Sequence, residues 1–270
     1  MKIRDVSYHV EIEGKGEPLV FLHGFTGSSL SWQHLINDFR NYQLIFIDIL
    51  GHGKSDHPSD SSRYKMGEVV EDIIEIFNRL TIDKAHIVGY SMGGRLALSL
   101  AALYPHRVKK LVLESSSPGL NTDEERNHRI KSDQALADEI VRGGISRFVD
   151  KWEKIPLFSS QMMMSDSQKN KLREQRLLNT EIGLANSLLG MGTGSQPSWW
   201  DKLPNLHISV LLLCGELDQK FCEIAKRMHE RLPFSVIKEI NQAGHAIHVE
   251  QPRIFGKIVI EFLNEDKSLN

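Results

Sequence analysis

A chain of 270 residues, 40% of them hydrophobic, can bury a large core as one domain and still carry an insertion. Its formal net charge of -2 argues against nucleic acid or an anionic membrane surface as a partner. Two cysteines, Cys214 and Cys222, make no disulfide framework, and no apolar run nears the roughly 18–20 residues of a membrane span. Residues 1–5 hold no apolar core of signal-peptide length, so a cytoplasmic protein without membrane insertion is expected.

In chain order, residues 2–13 alternate and stop at Gly14-Lys15-Gly16, which predicts an antiparallel edge hairpin. Pro18-Leu19-Val20-Phe21-Leu22 runs continuously apolar, as a strand buried on both faces does, and ends in His23-Gly24-Phe25. That turn brings the Phe25 amide toward the strand end, where it can serve as an oxyanion-hole donor; an ordinary glycine turn is the competing reading. Residues 44–47 are the next buried strand. Asp48 and His52 follow in a turn-rich loop and read as structural. Residues 66–80 carry helical periodicity through Val69, Val70, Ile73, Ile74, Phe77 and Leu80.

Next comes Val88-Gly89-Tyr90-Ser91-Met92-Gly93-Gly94, entered from an apolar run and left into a helical pattern. A strand, a tight turn and a helix with Gly-x-Ser-x-Gly at the corner is a nucleophile elbow. The serine sits on a strained turn, the glycines relieve crowding, and the Met92 amide points into the site from a helix N-terminus. Residues 108–113 form another short strand. Strands alternating with helices at this spacing predict an α/β fold with a mostly parallel central sheet flanked by helices, and a site outside the strands' carboxyl ends.

The pattern breaks from about 120 to 195, a helical, charge-rich stretch with no buried strand. We read residues 120–195 as a helical cap inserted over the site, with 1–119 and 196–270 as the core. Gly190-Met191-Gly192-Thr193-Gly194 follows no strand and is therefore no dinucleotide fingerprint. The sheet resumes at 210–214, followed by Gly215-Glu216-Leu217-Asp218, a helix over 221–232, a strand over 235–240, Ala243-Gly244-His245 and a C-terminal helix.

Ser91, Asp218 and His245 follow three separate strands in the order serine, acid, histidine. A serine hydroxyl is a weak nucleophile and needs a base, and a carboxylate orients that base. Glu216 and Glu114 are the rival acids; His248 is the rival histidine but lacks the Gly-His turn.

From His23-Gly24-Phe25 to Ala243-Gly244-His245 the chain resembles the α/β-hydrolase superfamily. More narrowly it resembles the 2-succinyl-6-hydroxy-2,4-cyclohexadiene-1-carboxylate synthases of menaquinone biosynthesis. Gly89-Tyr90-Ser91-Met92-Gly93-Gly94-Arg95, Ser117-Pro118-Gly119-Leu120, Trp152 before Pro156-Leu157-Phe158, and Cys214-Gly215-Glu216-Leu217-Asp218-Gln219-Lys220-Phe221 carry the likeness. The resemblance implies a lyase that eliminates pyruvate from 2-succinyl-5-enolpyruvyl-6-hydroxy-3-cyclohexene-1-carboxylate, with no cofactor or metal. Ser91, His245 and Asp218 would act as a proton-abstracting base, and the amides of Phe25 and Met92 as the oxyanion hole. It further implies that Arg95, Arg129 and Arg176 hold the three carboxylates of this small-molecule substrate, with Tyr90 and Trp152 in the pocket. Composition singles out neither Arg129 nor Arg176, since residues 120–195 hold eleven Lys/Arg and eleven Asp/Glu by count. A carboxylesterase or C–C bond hydrolase with the same triad, and a non-catalytic receptor of this fold, remain open. Oligomeric state is not legible.

Overall fold

The computed structural model describes residues 1–265. The first thirteen residues depart from the expected single hairpin. β1 (Lys2–Ile3) and β2 (Val6–Ser7) pair with each other, whereas β3 (Val10–Glu13) runs antiparallel along β5 (Tyr42–Ile47) at the edge of the main sheet. The cause is burial: Ile3, Val6 and Tyr8 are buried, and the Tyr8 hydroxyl donates to Asp72 at 2.7 Å. That anchor draws the ribbon off the sheet, and only the residues after His9 are free to pair with its edge.

The continuous apolar runs become β4 (Glu17–Leu22), β5, β6 (Ala85–Tyr90), β7 (Val108–Glu114), β8 (Ser209–Gly215) and β9 (Ser235–Ile240). The sheet order is β3-β5-β4-β6-β7-β8-β9, and every pair except β3 with β5 is parallel. Side chains alternate across it. Val20, Leu22, Ile45, Ile87, Leu111 and Leu212 pack on one face with α1 (Met66–Arg79) and α2 (Met92–Leu103). Leu19, Phe21, Phe46, Val88, Val112 and Leu211 pack on the other, against the 3₁₀ segment Ser29–Phe39 and the C-terminal helix. Burial on both faces is why these strands read as unbroken apolar runs rather than alternating ones.

Between β7 and β8 lie α3 (Asp123–Trp152), the 3₁₀ segment Pro156–Met163, α4 (Asp166–Leu177) and α5 (Glu181–Met191). Thr122 and Glu125 form a capping box at the start of α3, and Gly144, at φ 80°, breaks it at the Gly-Gly pair. Ala137, Ile140, Phe148, Val149, Leu184, Ala185 and Leu188 form an apolar cluster of their own from α3 and α5. The chain closes with α6 (Gln219–His229), α7 (Ile247–Glu250) and α8 (Pro252–Asn264). Among the described residues no helix is long and apolar enough to cross a membrane.

Candidate active site

The loops leaving β4, β6, β8 and β9 converge at the carboxyl edge of the sheet, as parallel topology requires. Ser91 follows β6 with φ 50° and ψ -106°, a left-handed conformation that costs a non-glycine residue on the order of 1–3 kcal/mol. Its neighbours must be glycine because α2 crosses β4 and β6 at close range. A Cβ on Gly89 would sit 2.5 Å from the Gly93 carbonyl oxygen, and one on Gly93 2.1 Å from that of Leu22.

Three of the residues anticipated from the chain order are joined by hydrogen bonds. His245 Nε2 lies 2.9 Å from Ser91 Oγ, and His245 Nδ1 lies 2.5 Å from Asp218 Oδ2. With Asp218 ionised, the proton belongs on Nδ1, which leaves Nε2 free to accept the serine proton. His245 and Asp218 are both buried, and the imidazole packs against Phe221 at 4.6 Å and Tyr90 at 5.4 Å. The rival acids are occupied elsewhere: Glu216 accepts from the Gln242 amide at 2.8 Å, and Glu114 pairs with His248 at 2.9 Å.

A cavity of about 850 Å³ opens on Ser91 and His245. Phe25, Tyr90, Met92 and Trp152 are on its wall. Met92 opens α2, so its amide is one of the N-terminal donors that no intrahelical carbonyl can satisfy. Phe25 is presented by buried His23, whose Nε2 accepts from the Ile49 amide at 2.9 Å and whose Nδ1 donates to the Gly24 carbonyl at 2.8 Å. Burial brings the His23 pKa down to about 4, so the ring stays neutral and keeps both bonds at neutral pH. Asp48 and His52 do not line the cavity: Asp48 accepts from the amides of Ser29 and Lys54, and His52 packs on His23.

Arg95 and Arg129 share the cavity wall. Arg95 donates to the Met191 carbonyl at 2.6 Å and Gln196 Oε1 at 2.8 Å, and Arg129 donates to Asp133 at 2.7 Å. Desolvation, and then the nearby Arg129 charge, bring the Arg95 pKa down to about 10. Arg176 is placed differently. It lines an adjoining cavity of about 50 Å³ that shares Phe25, Tyr90 and Phe158 with the larger one. There it donates to Gln161 at 3.1 Å and lies 5.1 Å over the Phe158 ring. Burial lowers its pKa.

Sequence reasoning missed Lys220 and Arg227, which also line the larger cavity from α6. The signal was available in their seven-residue spacing, which places both on one helix face. It also missed Gln196 and Asp133, which hold the two arginines: Asp133 stands at the readable i,i+4 spacing from Arg129 on α3, whereas Gln196 lies 101 positions from Arg95 and is brought there only by the fold. Among the described residues, Cys214, Cys222 and Glu239 place ligand atoms within 4.8 Å of one another, outside the cavity wall. Burial raises both thiol pKa values, and Cys222 donates to the Gly215 carbonyl at 3.2 Å.

The alpha/beta hydrolase fold family matches residues 17–252. The chain is 52% identical, over 96% of its length and 95% of the relative's, to a Bacillus subtilis protein named as a putative 2-succinyl-6-hydroxy-2,4-cyclohexadiene-1-carboxylate synthase. It superposes on MenH from S. aureus with a TM-score of 0.91 and 35% identity, covering 96% of this chain and 99% of that one. A thermophilic esterase from Thermogutta terrifontis, in a malate-bound structure, gives a TM-score of 0.86 at 26% identity, covering 96% of this chain and 94% of that one. The chain belongs to the α/β-hydrolase fold family, on the branch that holds the 2-succinyl-6-hydroxy-2,4-cyclohexadiene-1-carboxylate synthases.

Proposed function

We propose that the protein is a carbon–oxygen lyase of menaquinone biosynthesis. It converts 2-succinyl-5-enolpyruvyl-6-hydroxy-3-cyclohexene-1-carboxylate into 2-succinyl-6-hydroxy-2,4-cyclohexadiene-1-carboxylate and pyruvate. The observation that carries this reading is a hydrogen-bonded Ser91–His245–Asp218 chain opening on the same cavity as Arg95 and Arg129. Relatives named for this reaction, one of them 52% identical, support it.

In the proposed reaction His245 takes the Ser91 proton, and the serine oxygen abstracts the ring C–H proton next to the succinyl ketone. Negative charge develops on that ketone oxygen, where the amides of Met92 and Phe25 stabilise it. The dienolate then expels the enolpyruvyl oxygen, and the departing enol becomes pyruvate by taking up a proton. Arginine suits the carboxylates of the ring and side chains through paired donors. Arg95 and Arg129 take two of them, and Arg176 takes the third in the adjoining cavity. Tyr90 and Trp152 wall the ring, and residues 120–195 act as the cap that keeps water from the dienolate.

A second reading, ester hydrolysis, is favoured by the triad geometry, which also suits attack on a carbonyl, and by the likeness to an esterase. Purified protein given the enolpyruvyl substrate is expected to release one pyruvate per product formed and to cleave simple esters poorly. Ester cleavage without pyruvate would sink the lyase reading, and binding without turnover would favour a receptor.

Asp218→Asn is expected to lower kcat by roughly three to four orders of magnitude with the fold intact, because the amide stabilises the wrong imidazole tautomer. Near-wild-type turnover in a stopped assay would remove Asp218 from the proton path.

A further inference from the structure

A second buried carboxylate–histidine pair stands beside the triad. Glu114 ends β7 directly opposite Tyr90 in the β6–β7 register, and its carbonyl accepts from the Ser91 amide at 2.9 Å. Its side chain reaches the other way. The carboxylate accepts from the His248 amide at 2.9 Å, and His248 Nδ1 lies 2.9 Å from each carboxylate oxygen. One residue therefore grips the nucleophile elbow through its backbone and the histidine-bearing segment through its side chain.

The rest of that segment is held as firmly. The His248 ring packs, tilted, against Trp32 at 4.4 Å and Tyr90 at 4.7 Å, and its carbonyl accepts from His34 Nε2 at 2.7 Å. Glu250 holds the residues flanking His245, accepting from the Gly244 amide at 2.7 Å and the Ala246 amide at 3.3 Å. A buried carboxylate is costly unless its lone pairs are met, and the amide and ring of His248 meet those of Glu114.

We propose that Glu114 and His248 are positioning residues: together they set the separation of Ser91 Oγ from His245 Nε2. The inference rests on the proton path proposed above, in which that separation governs transfer. Neither side chain touches the reacting atoms. A misplacement of about 1 Å caused by a distant substitution can cost about a hundredfold in rate.

In Glu114→Gln the side-chain carbonyl can replace Oε1, which faces both the His248 amide and Nδ1, but the NH₂ then replaces Oε2 against Nδ1 and that contact is lost. Its kcat for pyruvate release is expected to fall ten- to a hundredfold with KM nearly unchanged, and its crystal structure to show a longer Ser91–His245 separation. His248→Ala should fall less, because the His248 amide still reaches Glu114, and the double variant should fall little beyond Glu114→Gln alone. Asp72→Asn, which breaks a buried ion pair with Arg63, serves as the control for lost stability and should leave kcat unchanged. Unchanged kcat in Glu114→Gln, a change confined to KM, or an unchanged triad distance would each overturn the proposal. If Glu114→Gln does not fold, His248→Ala decides by the same readouts. If the wild type releases no pyruvate, the lyase reading fails, while the triad distance in Glu114→Gln still tests the positioning role.

Discussion

Ser91→Ala and His245→Ala each lower kcat about a thousandfold or more, with the protein still folded. The expectation comes from one proton moving along one path: Oγ to Nε2 at 2.9 Å, with the resulting imidazolium held by Asp218 at 2.5 Å. Either change breaks the path completely, so the second can add little. The double variant should lose about as much as the worse single one. Pre-steady-state measurement of pyruvate release, with circular dichroism to confirm folding, checks both points. A double variant whose loss equals the product of the single losses would mean the two residues act independently.

The second large effect falls on the arginines. A hydrogen bond between charged partners contributes about 1.5–3 kcal/mol, or roughly ten- to a hundredfold in kcat/KM when a substrate carboxylate loses it. Arg95→Ala is expected near the upper end, because its guanidinium is desolvated and pinned by Met191 and Gln196. Arg129→Ala is expected nearer the lower end, since the Arg129 side chain is 43% exposed and water screens it. Arg→Lys at either position should recover part of the loss but not the paired geometry. A neutral ester, if cleaved at all, offers no carboxylate and should feel neither change. Equal losses on anionic and neutral substrates would instead make the arginines props for the helices above the site.

Most of the sheet was legible because burial on both faces writes itself as continuous apolar runs such as Val20-Phe21-Leu22 and Leu211-Leu212-Leu213. The chain order of Ser91, Asp218 and His245 was legible too, since parallel strands deliver their carboxyl ends to one edge. Residues 2–13 were not, because alternation marks a half-buried strand without naming its partner. The choice between a hairpin and the β5 edge lies with Tyr8 and Asp72, 64 positions apart. Arg176 shows a different limit. Its place on α4 says nothing about which side of Phe158 and Tyr90 its guanidinium reaches. The Glu114–His248 pair, spanning 134 positions, left no local trace at all.

The apolar cluster of α3 and α5 is separate from the two clusters that sandwich the sheet, and Phe25 is a side chain packed against both it and the sheet. Cooperative opening follows contiguous cores, and α5 is tied to the sheet side through Met191 and through Asn186, which donates to the Pro58 and Ser59 carbonyls, so α3 is the helix expected to open first. Backbone amides of α3 should exchange with deuterium through a lower-energy opening than those of β6 and β7, with α5 between them. A saturating anionic ligand bridging Arg95, on α2, and Arg129, on α3, should slow that exchange selectively. Uniform exchange across helices and sheet would show the molecule opening as a single unit. On that expectation the loosest part of this protein is the part proposed to meet the substrate, and Phe25, packed against both clusters, lies on the boundary it would open along.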